Sequence, residues 1–164
     1  MDILLKGKVA FVTGCDQGIG YSICETFVKS GAIIYANVLN KASEDKLKNL
    51  NQAHYEGQVI PVCFDVTDKI AVYECIKKIK KEQDGVLDII VNNAGVKKDG
   101  VIEMIDDASI SKMFDVNVIA AVHVVQAAIR LLKKRSCGTI INMASIVGEK
   151  GNAGQSVYGA TKGG

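Results

Sequence analysis

Short, almost continuously apolar runs alternate with amphipathic stretches along the chain. Lys8–Thr13 (KVAFVT), Ile33–Val38 (IIYANV), Val59–Phe64 (VIPVCF), Leu87–Val91 (LDIIV) and Thr139–Ala144 (TIINMA) are rich in valine and isoleucine. Such runs suit strands covered on both faces. Between them, Ile19, Ile23 and Phe27 recur at helical spacing, with Gly31 as a stop signal. Thr67 and Asp68 open a helix predicted to carry Ile70, Ile76 and Ile79 on one side. Ala108–Arg135 reads as a long helical stretch, closing on Lys133, Lys134 and Arg135, where cations suit the C-terminal dipole. Strands joined by helices in this order predict an α/β fold, a doubly wound parallel sheet of Rossmann type. The connections are short and no internal repeat is visible. The run Lys77, Lys78, Lys80 and Lys81 reads as a solvated helix face.

Composition narrows the class. With 164 residues, 48% hydrophobic and 23% charged, the chain fits one nucleotide-binding domain, residues 1–164, with an ordinary core. A formal charge of +2 implies no nucleic-acid surface. No uninterrupted apolar run approaches the roughly 18 residues of a membrane span, and Met1-Asp2 begins no signal peptide. The five cysteines (Cys15, Cys24, Cys63, Cys75, Cys137) are never spaced C-x-x-C, as expected of reduced thiols in a cytoplasmic protein, mostly filling the core. His54 and His123 stand apart from any carboxylate cluster, so no metal site is expected.

Chemistry enters at two places. Thr13-Gly14-Cys15-Asp16-Gln17-Gly18-Ile19-Gly20 lies between the first strand and the first helix. Glycines there let a pyrophosphate approach the main chain, and the helix start offers free amides to it. The spacing is G-x-x-x-G-x-G, and no G-x-x-x-x-G-K-[ST] occurs, which excludes a P-loop nucleotidase. Near the other end, Tyr158 and Lys162 are four residues apart, on one face of a helix. A cation beside a phenol favours phenolate and prepares a tyrosine to act as a general acid.

The T-G-x-x-x-G-I-G loop, Asn92-Asn93-Ala94-Gly95 after the fourth strand and Tyr158-x-x-x-Lys162, in that order, resemble the short-chain dehydrogenase/reductase family from about residue 6 to 164. Within the family the chain is most similar to 3-oxoacyl-[acyl-carrier-protein] reductases of fatty acid biosynthesis, chiefly through Gly151–Tyr158 (GNAGQSVY). The resemblance implies that Gly14, Gln17, Gly18, Ile19 and Gly20 cradle a nicotinamide cofactor. Asp65 and Val66 would contact adenine. Asn92, Ala94 and Gly95 would line the adenosine ribose side and steady the sheet. It further implies reversible carbonyl reduction with hydride from the nicotinamide. Tyr158 would protonate the alkoxide, and Lys162 would hold the tyrosine pKa down and bind the nicotinamide ribose. Ser145 would bond the carbonyl oxygen, and Asn117 would hold a water that resupplies protons. Taken singly, these residues have plainer readings. Asn92 and Asn93 suit a turn, Asp65 a helix cap, Asn117 a buried polar bond, and Ser145 the end of a strand.

Cofactor choice turns on the end of the second strand, where NAD-binding folds place a carboxylate for the ribose 2′-hydroxyl. The corresponding residue is Asn37, so no acid opposes a 2′-phosphate and NADP(H) is favoured over NAD(H). Against this, Gln17 stands where many NADP-using relatives carry a basic residue, and Lys41 is the candidate to compensate. The substrate expected is a carbonyl compound, carrier-protein-linked if Arg130, Lys133, Lys134 and Arg135 steer an acidic carrier. An NAD-dependent sugar or alcohol dehydrogenase is the alternative within the family. Family members continue through further strands and helices, which predicts a C-terminally incomplete domain. The fifth strand is then an open edge, and the helix bearing Tyr158 is a short stub. A homodimer or homotetramer is expected of the full-length form. A non-catalytic nucleotide-binding or interaction protein is the reading from a different class.

Overall fold

The computed structural model describes residues 4–52, 55–134 and 137–163. Its five strands are β1 (Val9–Val12), β2 (Ile33–Val38), β3 (Gln58–Cys63), β4 (Ile89–Asn92) and β5 (Thr139–Asn142). All pair in parallel in the order β3-β2-β1-β4-β5. The helices are α1 (Gly18–Lys29), α2 (Lys41–Lys48), α3 (Lys69–Glu82), α4 (Asp107–Phe114), α5 (Ala120–Leu132), α6 (Ile146–Lys150) and α7 (Ser156–Gly163). The order in which strands are added to the sheet reverses between β1 and β4. That crevice, beyond the carboxyl ends of the strands, is where doubly wound sheets bind ligands.

Alternation along β1 divides the core. Val9 and Phe11 face one side with Tyr35, Ile90, α3 and α5; Ala10 and Val12 face the other with Ile34, Val91, α1 and α2. Pro61 lies in β3, an edge strand, where a missing N–H costs no ladder bond. At the opposite edge all four residues of β5 are exposed, Ile140 and Ile141 among them.

The structure corrects one helix face and refines another. The inward stripe of α1 is Gly20, Cys24 and Val28, one position beyond the bulky Ile19, Ile23 and Phe27; Ile19 is 63% exposed. Close approach of α1 to the glycine loop admits Gly20 there and leaves Ile19 exposed, while Ile23 and Phe27 pack, half-buried, at the margin of the core. On α3 the buried stripe is Val72, Cys75, Ile76 and Ile79, whereas Ile70 is 72% exposed. Its spacing from Ile76 places it off the face that 3.6-residue periodicity selects. Most of the cysteines fill the core as expected: Cys15, Cys24 and Cys75 are buried, while Cys63 at the end of the edge strand and Cys137 are exposed.

The stretch Asp107–Leu132 is one continuous helix of 26 residues whose centre, Asp115–Ile119, winds as a π-turn. It is long and apolar enough to cross a membrane, although no uninterrupted apolar run marks it in the sequence. Ala120, Val124, Ala128, Leu131 and Leu132 on it are buried. His54 and Arg135, named above, lie outside the described residues.

Tyr35 anchors the α3 side. Its hydroxyl donates to Glu82 Oε2 at 2.8 Å and accepts from Gln83 Nε2 at 3.0 Å. Burial pushes its pKa from 10.0 up to about 12. The folded state then holds a proton that the unfolded chain releases at pH 10. The stabilisation is therefore complete below pH 10 and lost as pH rises towards 12. Between pH 9 and pH 11.5, urea unfolding should show a stability loss smaller in Tyr35→Phe than in the wild type by on the order of 1–2 kcal/mol, the buried thiols of Cys15 and Cys75 adding a loss common to both.

Candidate active site

The loop after β1 is fixed by its neighbours. Gly14 takes a left-handed φ of +69°, and its N–H donates to Asn37 Oδ1 at 3.3 Å. Gly20 packs so tightly that a β-carbon would lie 2.1 Å from the Gly14 carbonyl oxygen. Gln17, the N-cap of α1, makes no side-chain capping bond, which leaves the helix start's amides open beside an uncluttered glycine loop. These are the features a pyrophosphate group fits: exposed N–H donors, the positive end of a helix and no side chain in the way.

Asn93, not Asn92, ties this loop to β4. Its Nδ2 donates to the carbonyls of Thr13 (3.0 Å) and Gly14 (2.9 Å), while Thr13 Oγ1 accepts from the N–H groups of Asn93 and Ala94, each at 3.0 Å. Asn92 instead ends β4, buried, with Nδ2 donating to Asn142 Oδ1 across the β4–β5 pair. Asn92 thus braces the β4–β5 pair, while Asn93 with Thr13 braces the glycine loop against β4. The reason is strand parity: consecutive residues leave a strand in opposite directions, so two adjacent asparagines do not share a partner. Asn93→Ala is expected to cost about 1–3 kcal/mol through unpaired Thr13 and Gly14 carbonyls, measured as a lowered urea midpoint; Asn93→Asp is expected to be worse, because it also sets a charge against those carbonyls.

Asn37 is 3% exposed and braces three elements, accepting from Gly14 N–H and donating through Nδ2 to the Phe64 carbonyl at 2.9 Å. Asp65 closes an Asx turn, its Oδ1 accepting from Thr67 N–H (2.9 Å) and Oγ1–H (2.7 Å). The cap of α3 is Asp68, which accepts from Ile70 and Ala71. Val66 is buried against Val116 and Ala120.

On the other side of the crevice, α7 is short, yet it packs on α6 and α4. It brings Tyr158 and Lys162 to a cleft of about 180 Å³ shared with Ile19, Asn93, Gly95, Val96, Lys97, Met143 and Ala144. Lys162 Nζ donates to the Met143 carbonyl at 2.8 Å, and burial lowers its pKa below the usual lysine value. Asn117 sits in the π-turn, a helix irregularity frequent at functional sites. Its Oδ1 accepts from Val96 N–H at 2.8 Å, and its Nδ2 donates to the Val96 carbonyl and to Thr161 Oγ1, both at 2.9 Å. Asn117 Oδ1 and Lys162 Nζ converge over Gly95, 3.4 and 3.5 Å from where a β-carbon would stand. Ser145 caps α6, its Oγ accepting from Val147 N–H at 3.3 Å, so its own hydroxyl proton is free to donate elsewhere. Beside the cleft a larger groove of about 530 Å³ runs between α5 and the β4–β5 edge.

A strand order of 3-2-1-4-5, a glycine loop at its switch point and a tyrosine–lysine pair facing that loop define a nicotinamide-dependent oxidoreductase fold. The chain belongs to the short-chain dehydrogenase family, whose model matches residues 8–164. It is 33% identical over 159 residues to the 3-oxoacyl-[acyl-carrier-protein] reductase FabG of Salmonella typhimurium, covering 97% of this chain and 63% of that protein. The FabG of Thermotoga maritima is 32% identical over 160 residues, covering 98% and 64%. Among solved structures, L-sorbose reductase from Gluconobacter frateurii, complexed with NADPH and L-sorbose, superposes with a TM-score of 0.91 at 29% identity, over 99% of this chain and 62% of that one. NAD+-bound xylitol dehydrogenase superposes at 0.88 and 27% identity, over 97% and 61%. The chain spans somewhat under two thirds of the length of these relatives.

Proposed function

We propose that the chain carries the cofactor-binding and proton-transfer parts of a carbonyl reductase acting on a 3-oxoacyl group, linked to a carrier protein. The observation that carries this reading is the cleft that joins Tyr158 and Lys162 to Ile19 of the glycine loop and Gly95 after β4. Gly14, Gly18 and Gly20 with the amides at the start of α1 would hold the dinucleotide phosphates, and Lys162 its nicotinamide ribose. When bound, the nicotinamide supplies the hydride. Tyr158 gives its phenolic proton to the oxygen that becomes the alcohol. The ammonium of Lys162, held in a half-buried position, lowers the cost of the phenolate left behind. The free hydroxyl proton of Ser145 bonds the same oxygen as its charge grows. Asn117, pinned to Val96 and Thr161, fixes α7 against the β4 loop and serves the lysine's proton supply.

Similarity to the FabG enzymes supports the acyl substrate, as do the exposed Arg130, Lys133 and Lys134 at the end of α5, which suit an acidic carrier. The superposition on L-sorbose reductase and xylitol dehydrogenase supports a second reading, a sugar or polyol substrate. Full-length protein should reduce a carrier-linked 3-oxoacyl group faster than a free thioester, with the difference shrinking as salt rises. A salt-independent rate with preference for ketoses would select the second reading. Exposed Phe114, Ile119 and Val122 along the α4–α5 helix suit a homo-oligomer, and sedimentation of the full-length protein tests it. The reduced-thiol chemistry of the cysteines suits a cytoplasmic location. Turnover with an intact mass near 17.5 kDa would exclude the non-catalytic reading; no dinucleotide binding at that mass would favour it.

A further inference from the structure

The neutral residue at the end of β2 is the basis for expecting NADP(H), but Asn37 is committed elsewhere. Both its amide groups are used as a brace, and it is 3% exposed. The acid comes from another element. Asp16, two residues after Gly14 in the glycine loop, reaches across to the residues that follow β2. Its Oδ1 and Oδ2 accept from Leu39 N–H at 3.1 and 3.3 Å, and Oδ1 accepts from Asn40 Nδ2 at 3.4 Å. Among the described residues no lysine or arginine pairs with this carboxylate, and it remains partly exposed.

We infer that Asp16 is the residue that selects the cofactor, and that it selects NAD(H), whose adenosine ribose carries a free 2′-hydroxyl. This rests on the dehydrogenase reading above and goes beyond it. The glycine loop and the end of β2 are the two elements that flank the adenosine ribose in dinucleotide-binding folds. A carboxylate fixed between them accepts from a 2′-hydroxyl and repels a 2′-phosphate. It also occupies Leu39 N–H, a main-chain donor that a phosphate would otherwise take. The charges of opposite sign nearby are weaker. Lys41 is exposed, and a flexible exposed lysine adds little against a held carboxylate. At the N-cap of α2, Asn40 Oδ1 already takes Ser43 N–H and Oγ–H, at 3.0 and 3.2 Å. Lys46 is held over the Tyr21 ring, 4.4 Å from its centre.

Binding of NAD+ and NADP+ to the purified chain, followed by calorimetry or tyrosine fluorescence, tests the assignment. NAD+ should bind at least about tenfold more tightly, because one like-charge contact at a partly exposed site reaches that size. The preference should shrink between about 50 and about 500 mM salt, since a partly exposed charge is screened. Asp16→Asn keeps an oxygen for Leu39 N–H but removes the charge, and should reduce the NAD+/NADP+ ratio at least about tenfold. Asp16→Ser serves the same purpose should the first variant fold poorly, as judged by its melting temperature. Equal or tighter binding of NADP+ by the wild-type chain, or an unchanged ratio in a folded variant, overturns the inference and leaves the dehydrogenase reading intact. A folded chain that binds neither dinucleotide overturns both.

Discussion

Tyr158→Phe should lower carbonyl reduction by about 10²–10⁴-fold, the usual contribution of a positioned general acid, with dinucleotide affinity nearly unchanged. The phenyl ring keeps the packing of α7, and the cleft keeps its remaining lining residues. The loss should fall on kcat and kcat/KM alike, because the proton is needed as charge develops on the substrate oxygen rather than when substrate binds. Lys162 provides the internal comparison. Its ammonium donates to the Met143 carbonyl and lies beside Gly95, so Lys162→Met should lower turnover and weaken the cofactor together. Stopped-flow reduction and equilibrium dinucleotide titration on the full-length protein separate the two. Turnover of Tyr158→Phe within about threefold of the wild type would remove the tyrosine from the chemistry.

The second large effect is expected at a residue that carries no functional group. Gly20→Val would drive a side chain into the Gly14 carbonyl oxygen, 2.1 Å from the β-carbon, and into Asn93 Nδ2 at 2.6 Å. Neither neighbour can give way cheaply. Asn93 is tied to the Thr13 and Gly14 carbonyls, and Gly14 is itself fixed by Asn37. The substitution combines overpacking, at about 1–3 kcal/mol, with loss of the Asn93 bonds, at about 1–3 kcal/mol. A fall in urea midpoint of that combined size and loss of dinucleotide binding are expected together. A variant of wild-type stability that still bound dinucleotide would contradict the rigid-loop account.

The two effects differ in how far they were visible in advance. Tyr158 and Lys162 are legible because a four-residue spacing has one meaning on a helix, and the glycine loop because its place after an apolar strand limits what glycines are for. The five strands were legible for a similar reason. Val–Ile runs without alternation have few homes other than a sheet covered on both faces. The helix faces were less so. On α1 the fully buried stripe is Gly20, Cys24 and Val28, with Ile23 and Phe27 half-buried beside it, a one-position offset that hydrophobic spacing does not resolve. Sequence adjacency also conceals that Asn92 and Asn93 leave β4 in opposite directions, one bracing β5 and the other the glycine loop.

By itself the sequence determined the class of this protein: a parallel doubly wound sheet, a dinucleotide loop at its switch point, and a tyrosine–lysine pair on a helix. Periodicity and local spacing are properties of neighbouring residues, so a chain states them outright. The tertiary structure decided which polar side chains are spent on holding the fold and which are left for a ligand. Asn37 at the end of β2 is a buried brace; Asp16, in a different element, brings a carboxylate to the residues that follow β2. Charge acts through distance in space. Residues 23 positions apart along the chain become hydrogen-bond partners only when β1 and β2 pair side by side.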